Sequence, residues 1–357
     1  MDFSLFYFAN NDTEERDRYR LLLDGARFAD ENGFAAVWTP ERHFHPFGGL
    51  YPNPSVTGAA VAAVTQRVAV RAGSVVAPLH HPMRIAEEWS VVDNLSGGRA
   101  GVAFASGWHA ADFALRPENY ENRKAELMAT VETVRRLWQR ESVSLTDGAG
   151  ETVELTMFPP PVQPALPMWL TSGGTPATFT LAGEHGLGML THLLGQEVEV
   201  LARRIDDYRR AYREHQPASA GRGHVAVMVH TFVGTDRDAV RETVREPFSR
   251  YLASSFDLLI KAAEAAGAQG ADMSRELKSM GEEDRRFLVA QAFDRYFETS
   301  GMFGTVEDCM AMLKQLKDAG VDEVACLVDF GVPTDAVTGA FEHLARLHDT
   351  WRAHLGH

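Results

Sequence analysis

The chain has 357 residues, 45% hydrophobic and 24% charged, with no apolar run near the ~20 residues that a membrane span needs, so it reads as a globular protein with no membrane partner. Its 35 Lys and Arg against 49 Asp and Glu give a formal net charge of -14, which opposes binding by phosphate neutralisation and argues against a nucleic-acid partner. Two cysteines, Cys309 and Cys326, are too few for a disulfide framework, and MDFSLFYFANND lacks the features of an export signal, so a cytoplasmic location is expected.

Strand and helix signals alternate along the chain. An apolar run, Phe3–Phe8, is followed by a helical pattern capped by Asp12 or Thr13, with Tyr19, Leu22, Ala26 and Ala29 on one face. Asn32-Gly33 ends that helix, and Phe34–Thr39 reads as a second buried strand. Val68–Val76 and Ala100–Ala105 are strands three and four, each followed by a helix, at Pro82–Leu95 and Arg123–Trp138. Beyond a Pro-rich connection, Met168–Thr171, Leu187–Thr191, Val225–Val233 and Glu323–Asp329 complete the strands. Helices are expected at Pro176–His185, around Leu201, Ile205, Tyr208 and Tyr212, and at the C-terminus, where Val337, Phe341, Leu344 and Trp351 form the inner face.

Eight short strands, each followed by a helical segment, predict an α/β protein of the (β/α)8 TIM-barrel class, with its site on the loops leaving the strand C-termini. The first turn has no GxGxxG, which disfavours a Rossmann fold. The reading is one domain over residues 1–357. Residues 246–304, with helical patterns at Ser255–Ala266 and Glu282–Thr299, form a helical insertion or lid between strands seven and eight.

The strand tips carry the chemistry. Strand two runs into Trp38-Thr39-Pro40-Glu41-Arg42-His43-Phe44-His45, strand three into His80-His81, strand four into Ser106-Gly107-Trp108-His109 with Asp112 beyond, and strand six into His192. Six histidines at the ends of four strands on one rim suggest a polar pocket, although each alone is more often a structural or solvated residue. After strand five, Ser172-Gly173-Gly174-Thr175 opens a helix at Pro176. Its glycines let backbone N–H groups approach an anion that the helix N-terminus also favours, while an ordinary capped turn is the equal alternative. His43, His45 and Asp329 could instead be metal ligands of a TIM-barrel hydrolase. The HxH follows strand two rather than one, and HExxH is absent, so no metal is expected.

At GFAAVWTPERHFHPFGG, VAPLHHPMRIAEEWSVVDNLSGGRAGVAFASGWHAADF, MWLTSGGTPATF and MFGTVEDCMAML the chain resembles the bacterial luciferase-like flavin monooxygenases, in the branch found in natural-product biosynthesis and related to the mupirocin-pathway oxygenase. The likeness spans almost the whole chain. It implies a two-component class C monooxygenase whose reduced FMN comes from a separate flavin reductase. O2 would be the co-substrate, forming a flavin (hydro)peroxide that hydroxylates, or inserts oxygen into, a small-molecule or carrier-protein-bound intermediate. A homodimer is the family habit. By the same resemblance Ser172, Gly173, Gly174 and Thr175 take the FMN phosphate, with Ser106 where luciferases place an arginine, while Gly73, Ser74, His109 and His192 lie along the flavin. A non-prolyl cis peptide is expected at Gly73–Ser74.

The main departure is Glu41-Arg42-His43, where light-emitting luciferases have Glu-His-His, so aldehyde oxidation with light emission is disfavoured. Arg42 cannot act as a base, but it can stabilise an anion at the reacting centre or bind a substrate carboxylate or carrier phosphate; an ion pair with Glu41 or a neighbouring acid is the structural alternative. His43 becomes the expected acid/base and His109 the third catalytic residue, with Trp38, Phe44, His81 and Trp108 lining the substrate pocket. Alternatives are a deazaflavin-dependent hydride-transfer enzyme of the same fold and a non-catalytic flavin-binding subunit.

Overall fold

The computed structural model describes residues 1–8, 16–265 and 281–355, the side chains of 255–265 excepted. The parallel strands β1 (Asp2–Phe6), β2 (Ala36–Thr39), β3 (Ala69–Val76) and β4 (Ala100–Ala105) pair in sequence order. After an antiparallel hairpin of β5 (Val143–Thr146) and β6 (Thr152–Leu155), the parallel series resumes with β7 (Met168–Thr171), β8 (Gly188–His192) and β9 (Val225–Val233). A short β10 (Met302–Gly304) extends β9 at Thr231–Val233, and β11 (Glu323–Leu327) closes the ring between β9 and β1. The eight parallel strands β1, β2, β3, β4, β7, β8, β9 and β11 form a closed barrel surrounded by helices, as expected from the alternating apolar runs.

The helices are α1 (Arg20–Glu31), α2 (Pro54–Val64), α3 (Pro82–Ser96), α4 (Arg123–Trp138), α5 (Pro176–Glu184), α6 (Val198–His215), α7 (Arg237–Ala265), α8 (Glu282–Thr299), α9 (Val306–Asp318) and α10 (Thr334–Leu355). The expected caps of α1, Asp12 and Thr13, lie outside the described residues, and the helix begins at Arg20. Its stop is where the sequence put it, with Asn32 as C-cap and Gly33 at φ 70°. The expected insertion boundary at residue 246 falls inside α7. Ala266 of the expected Ser255–Ala266 helix lies outside the described residues. α2 was not anticipated: PSVTGAAVAAV is small or apolar almost all round, so it has no polar stripe to reveal a helical period.

The N-terminal end of the barrel is plugged by one satisfied polar cluster. Glu323 at the start of β11 accepts bonds from Ser4 Oγ (2.6 Å), Trp38 Nε1 (2.8 Å) and Arg71 Nη1 (2.7 Å). The Arg71 guanidinium lies over the rings of Trp38 and Trp169, 4.9 and 4.7 Å from their centroids. Burial raises the Glu323 carboxyl, but Arg71, His224, Ser4 and Trp38 more than offset it and hold the group below the usual carboxylate range. Glycine is required beside this stack, because a Cβ at Gly188 would stand 2.1 Å from Trp169 Cδ1.

Candidate active site

The register fixes which side chains face the barrel interior at the opposite, C-terminal end. Glu323 faces inward, so Ala325 and Leu327 on β11 do too, and with them their partners Met228 and His230 on β9 and, through Met228, His192 on β8.

The β2 exit supplies a buried carboxylate bridge. Glu41 Oε1 meets the Nε2 atoms of His43 (2.8 Å) and His80 (2.5 Å), and Oε2 accepts the Val76 N–H (2.7 Å). Burial pushes the Glu41 carboxyl up, but the bonds from His43, His80 and Val76 hold it below the usual range. Burial alone would depress His80; its bond to Glu41 instead raises it above the ordinary imidazole value. With Nε2 tied to Glu41, Nδ1 of His43 is the edge that can trade a proton.

Of the acids the sequence left open as partners of Arg42, the structure selects Asp112. Arg42 Nη1 donates to Asp112 Oδ2 (3.0 Å) rather than to Glu41, and Asp112 Oδ1 meets His109 Nδ1 (3.1 Å). Asp112 thus joins two of the three expected catalytic residues. Trp108, half exposed, lies over the guanidinium with its centroid 5.3 Å from Cζ. Arg42 itself is only 4% exposed, and its Nε and Nη2 have no hydrogen-bond partner. Burial lowers the Arg42 pKa and Asp112 opposes that shift.

The turn after β7 is partly self-capped. Ser172 Oγ accepts from the N–H groups of Gly174 (3.2 Å) and Thr175 (3.0 Å), and Gly174 holds φ 111°. The N-terminus of α5, however, receives no side-chain cap from Thr175, and its first turn has no acidic residue. Around it stand buried atoms without partners: Thr171 Oγ1, His192 Nδ1 and Gln196 Oε1. A phosphate can accept from Thr171 Oγ1 and the open backbone N–H groups while a hydroxyl of the adjoining chain donates to Gln196 Oε1, so the residues suit a flavin phosphate and its adjoining chain.

Other expected residues fall in different places. The Gly73–Ser74 peptide is cis as anticipated, and a Cβ at Gly73 would stand 2.6 Å from Phe6 Cε2. Ser106 is half-buried at the end of β4. Trp38 belongs to the plug, fully buried, and not to the mouth. His81 is exposed and caps α3 through Nδ1 and the Met83 N–H (3.2 Å), so its neighbour His80 is the histidine that turns toward the site. Phe44 is exposed at φ 54°. His45 Nδ1 accepts the Phe47 N–H (3.0 Å) and Asp329 accepts from Phe8 N–H and Tyr51 Oη. Among the described residues no three His, Cys, Asp or Glu stand close enough to hold a metal.

His230 was missed. Its Nδ1 meets Tyr296 Oη (2.9 Å), its Nε2 is unpartnered, and burial, with His192 nearby, lowers its pKa well below the usual value. A lone histidine inside the apolar run VAVMVHTFV was the available signal.

The family profile described as luciferase-like monooxygenase matches residues 1–323. The chain belongs to this family. It is therefore an oxidoreductase enzyme. Among curated relatives, the oxygenase component of a flavin-dependent trigonelline monooxygenase from Acinetobacter baylyi is 23% identical over 96% of this chain and 93% of that protein. An F420-dependent hydroxymycolic acid dehydrogenase from Mycobacterium tuberculosis is 28% identical over half of each chain. Among solved structures, monooxygenase RslO1 from Streptomyces bottropensis superposes with a TM-score of 0.74, at 23% identity over 97% of this chain and 98% of that one. The oxygenating constituent of 3,6-diketocamphane monooxygenase from Pseudomonas putida, a Baeyer-Villiger enzyme in complex with FMN, gives 0.72 at 17% identity, over 97% of each chain. These likenesses bear out the resemblance and the fold. No helix among the described residues is long and apolar enough to cross a membrane.

Proposed function

We propose that this protein is the oxygenase component of a two-component, FMN-dependent monooxygenase, fed with reduced FMN by a separate reductase and acting on a natural-product intermediate, free or carrier-bound. The observation that carries the reading is the α5 N-terminus, which has no cap from the Thr175 side chain and no acid in its first turn, with unpartnered polar atoms around it, at the turn where this family resemblance expects the FMN phosphate. The full-length likeness to an oxygenase component supports it. FMN, when bound, supplies the reduction of O2 that delivers one oxygen atom to the substrate.

The chain's own residues bind, orient and protonate. Ser172, Gly173, Gly174 and Thr175 hold the phosphate, and Gly73, Ser74, Ser106 and His192 border the flavin. Trp108 and Phe44 shield the mouth from water, and the helical insertion, whose expected start lies within α7, is the lid within a single domain. His43, its Nε2 fixed by Glu41, moves a proton at Nδ1. His109 is oriented by Asp112, and Arg42 offers a fixed positive charge for an anion. A homodimer in the cytoplasm completes the proposal.

The test is turnover with 18O2, a flavin reductase and candidate substrates. A product gaining one labelled oxygen supports the reading, and product formed without O2 overturns it. The F420-dependent relative favours hydride transfer to a deazaflavin as the second reading, and anaerobic turnover would establish it.

A further inference from the structure

Arg42 offers three kinds of donor, and the fold uses one. Nη1 donates to Asp112 Oδ2 at 3.0 Å. Nε and Nη2 share the other long edge of the guanidinium, where their N–H bonds run parallel, and both are buried without a partner. That edge is the one whose spacing matches the two oxygens of a carboxylate, and a buried charged donor left unmet is disfavoured until something meets it.

We propose that the Nε–Nη2 edge of Arg42 is the receptor for a carboxylate carried on an apolar body by the organic substrate. This rests on the oxygenase reading above, and it names the substrate class for that site. Three observations select a substrate carboxylate over the phosphomonoester of the flavin. Asp112 already balances the Arg42 charge and also holds His109, so a monoanion leaves one net negative charge where a dianion would leave two. The α5 N-terminus, with no acid in its first turn, is the better place for the doubly charged group. The third observation is apolar: Trp108 at 49% and Phe44 at 64% exposure put two aromatic rings at the same rim, ready to cover the body of such a molecule.

The arginine is fixed by its neighbours. The Arg42 N–H donates to Tyr51 O (2.9 Å), and Gly48 packs so close to the stem that a Cβ there would lie 3.0 Å from Arg42 Cγ. Trp108, half in solvent, covers the guanidinium face, its centroid 5.3 Å from Cζ, and leaves the direction of the Nε–Nη2 edge to a ligand in the guanidinium plane.

The test is equilibrium binding of benzoate and hexanoate, each beside its uncharged amide, to the full chain and to Arg42→Met and Arg42→Lys. Calorimetry and tryptophan fluorescence are the readouts, with FMN and riboflavin titrated in parallel. The expected result is that at least one carboxylate binds the unmodified protein more tightly than its amide. That preference falls at least tenfold in Arg42→Met and by an intermediate factor in Arg42→Lys, which keeps the charge but loses the paired edge; FMN affinity is unchanged. Equal carboxylate-over-amide preference in the unmodified protein and in Arg42→Lys overturns the proposal, as does the absence of any such preference. A loss of FMN affinity without a loss of riboflavin affinity also overturns it, by assigning the edge to the flavin phosphate. If Arg42→Met does not fold, Arg42→Lys decides alone. If the unmodified protein binds neither flavin, the oxygenase reading fails separately, and the carboxylate comparison still stands or falls on the Arg42 variants.

Discussion

The two ends of the barrel treat buried polar groups in opposite ways. At the N-terminal end Ser4, Trp38, Arg71 and Glu323 satisfy one another, and the cationic group is sandwiched by two indoles. At the C-terminal end Arg42 Nε and Nη2, Thr171 Oγ1, His192 Nδ1, Gln196 Oε1 and His230 Nε2 are buried with nothing to bond to. Both ends are built from the same strands, so the difference is not a matter of fold. One end is closed on itself, and the other leaves hydrogen-bonding capacity unused beside the satisfied Glu41 bridge.

Breaking the plug should be the most costly change. Glu323→Ala leaves Arg71 between two indoles without its carboxylate, and urea denaturation should show a loss of about 3–5 kcal/mol. A loss below 1 kcal/mol would mean that the plug is not the stabilising end. At the mouth, His43→Ala should cost less stability, because His80 and Val76 still bond Glu41, and spare FMN affinity while lowering product formed per flavin oxidised by about a hundredfold, the typical scale of a lost acid/base. Product yield and hydrogen peroxide release measure it together, and an unchanged yield would remove His43 from its role.

The buried histidines make the mouth sensitive to acid. His192 and His230 both titrate below the usual value because burial disfavours their charged forms. The unfolded chain takes up protons near pH 6.5 and the folded one does not. Stability is therefore complete above pH 6.5 and declines below it, by about 1.4 kcal/mol per pH unit for each group, until its folded pKa is passed. His80, raised by Glu41, acts oppositely, contributing stability at low pH that is lost as pH rises through its folded value. His230→Asn, which keeps a partner for Tyr296, should flatten the decline between pH 6.5 and 5.5; an unaltered slope would exclude His230 as a contributor. The smallest effect is expected at Thr171→Val, where an unpartnered buried hydroxyl becomes a methyl group. Its stability should change by less than about 0.5 kcal/mol, in contrast to Ser4→Ala in the plug, which should cost about 1–3 kcal/mol.

Sequence legibility followed the same division. Barrel strands are covered on both faces, so each showed as an apolar run, and the eightfold alternation gave the architecture. The β5–β6 hairpin lies outside the barrel with Thr, Ser and Glu interleaved, and β10 has only three residues, so neither left a pattern. Looking just past each strand found Arg42, His43, His109 and the 172–175 turn. The same rule misplaced Trp38, because strand alternation sends it into the plug one layer below the mouth. It chose His81 over His80, since adjacent residues cannot be told apart without the chain direction after the 3-10 turn at Ala77–Leu79. It passed over His230 altogether, which lies within a strand, and it left open which acid, Glu41 or another nearby, would pair with Arg42, a choice that falls on Asp112.

The central claim is that the turn at 172–175 grips an anionic tail of a flavin. It is tested most directly by titrating FMN and riboflavin into the protein and into Gly174→Val, whose added side chain must meet Gln196 Oε1, 2.9 Å from a Cβ at that position, at a φ of 111°. The account predicts that the unmodified protein prefers FMN to riboflavin by at least tenfold and that Gly174→Val erases this preference while leaving riboflavin affinity close to unchanged. An FMN preference that survives intact in Gly174→Val would contradict it.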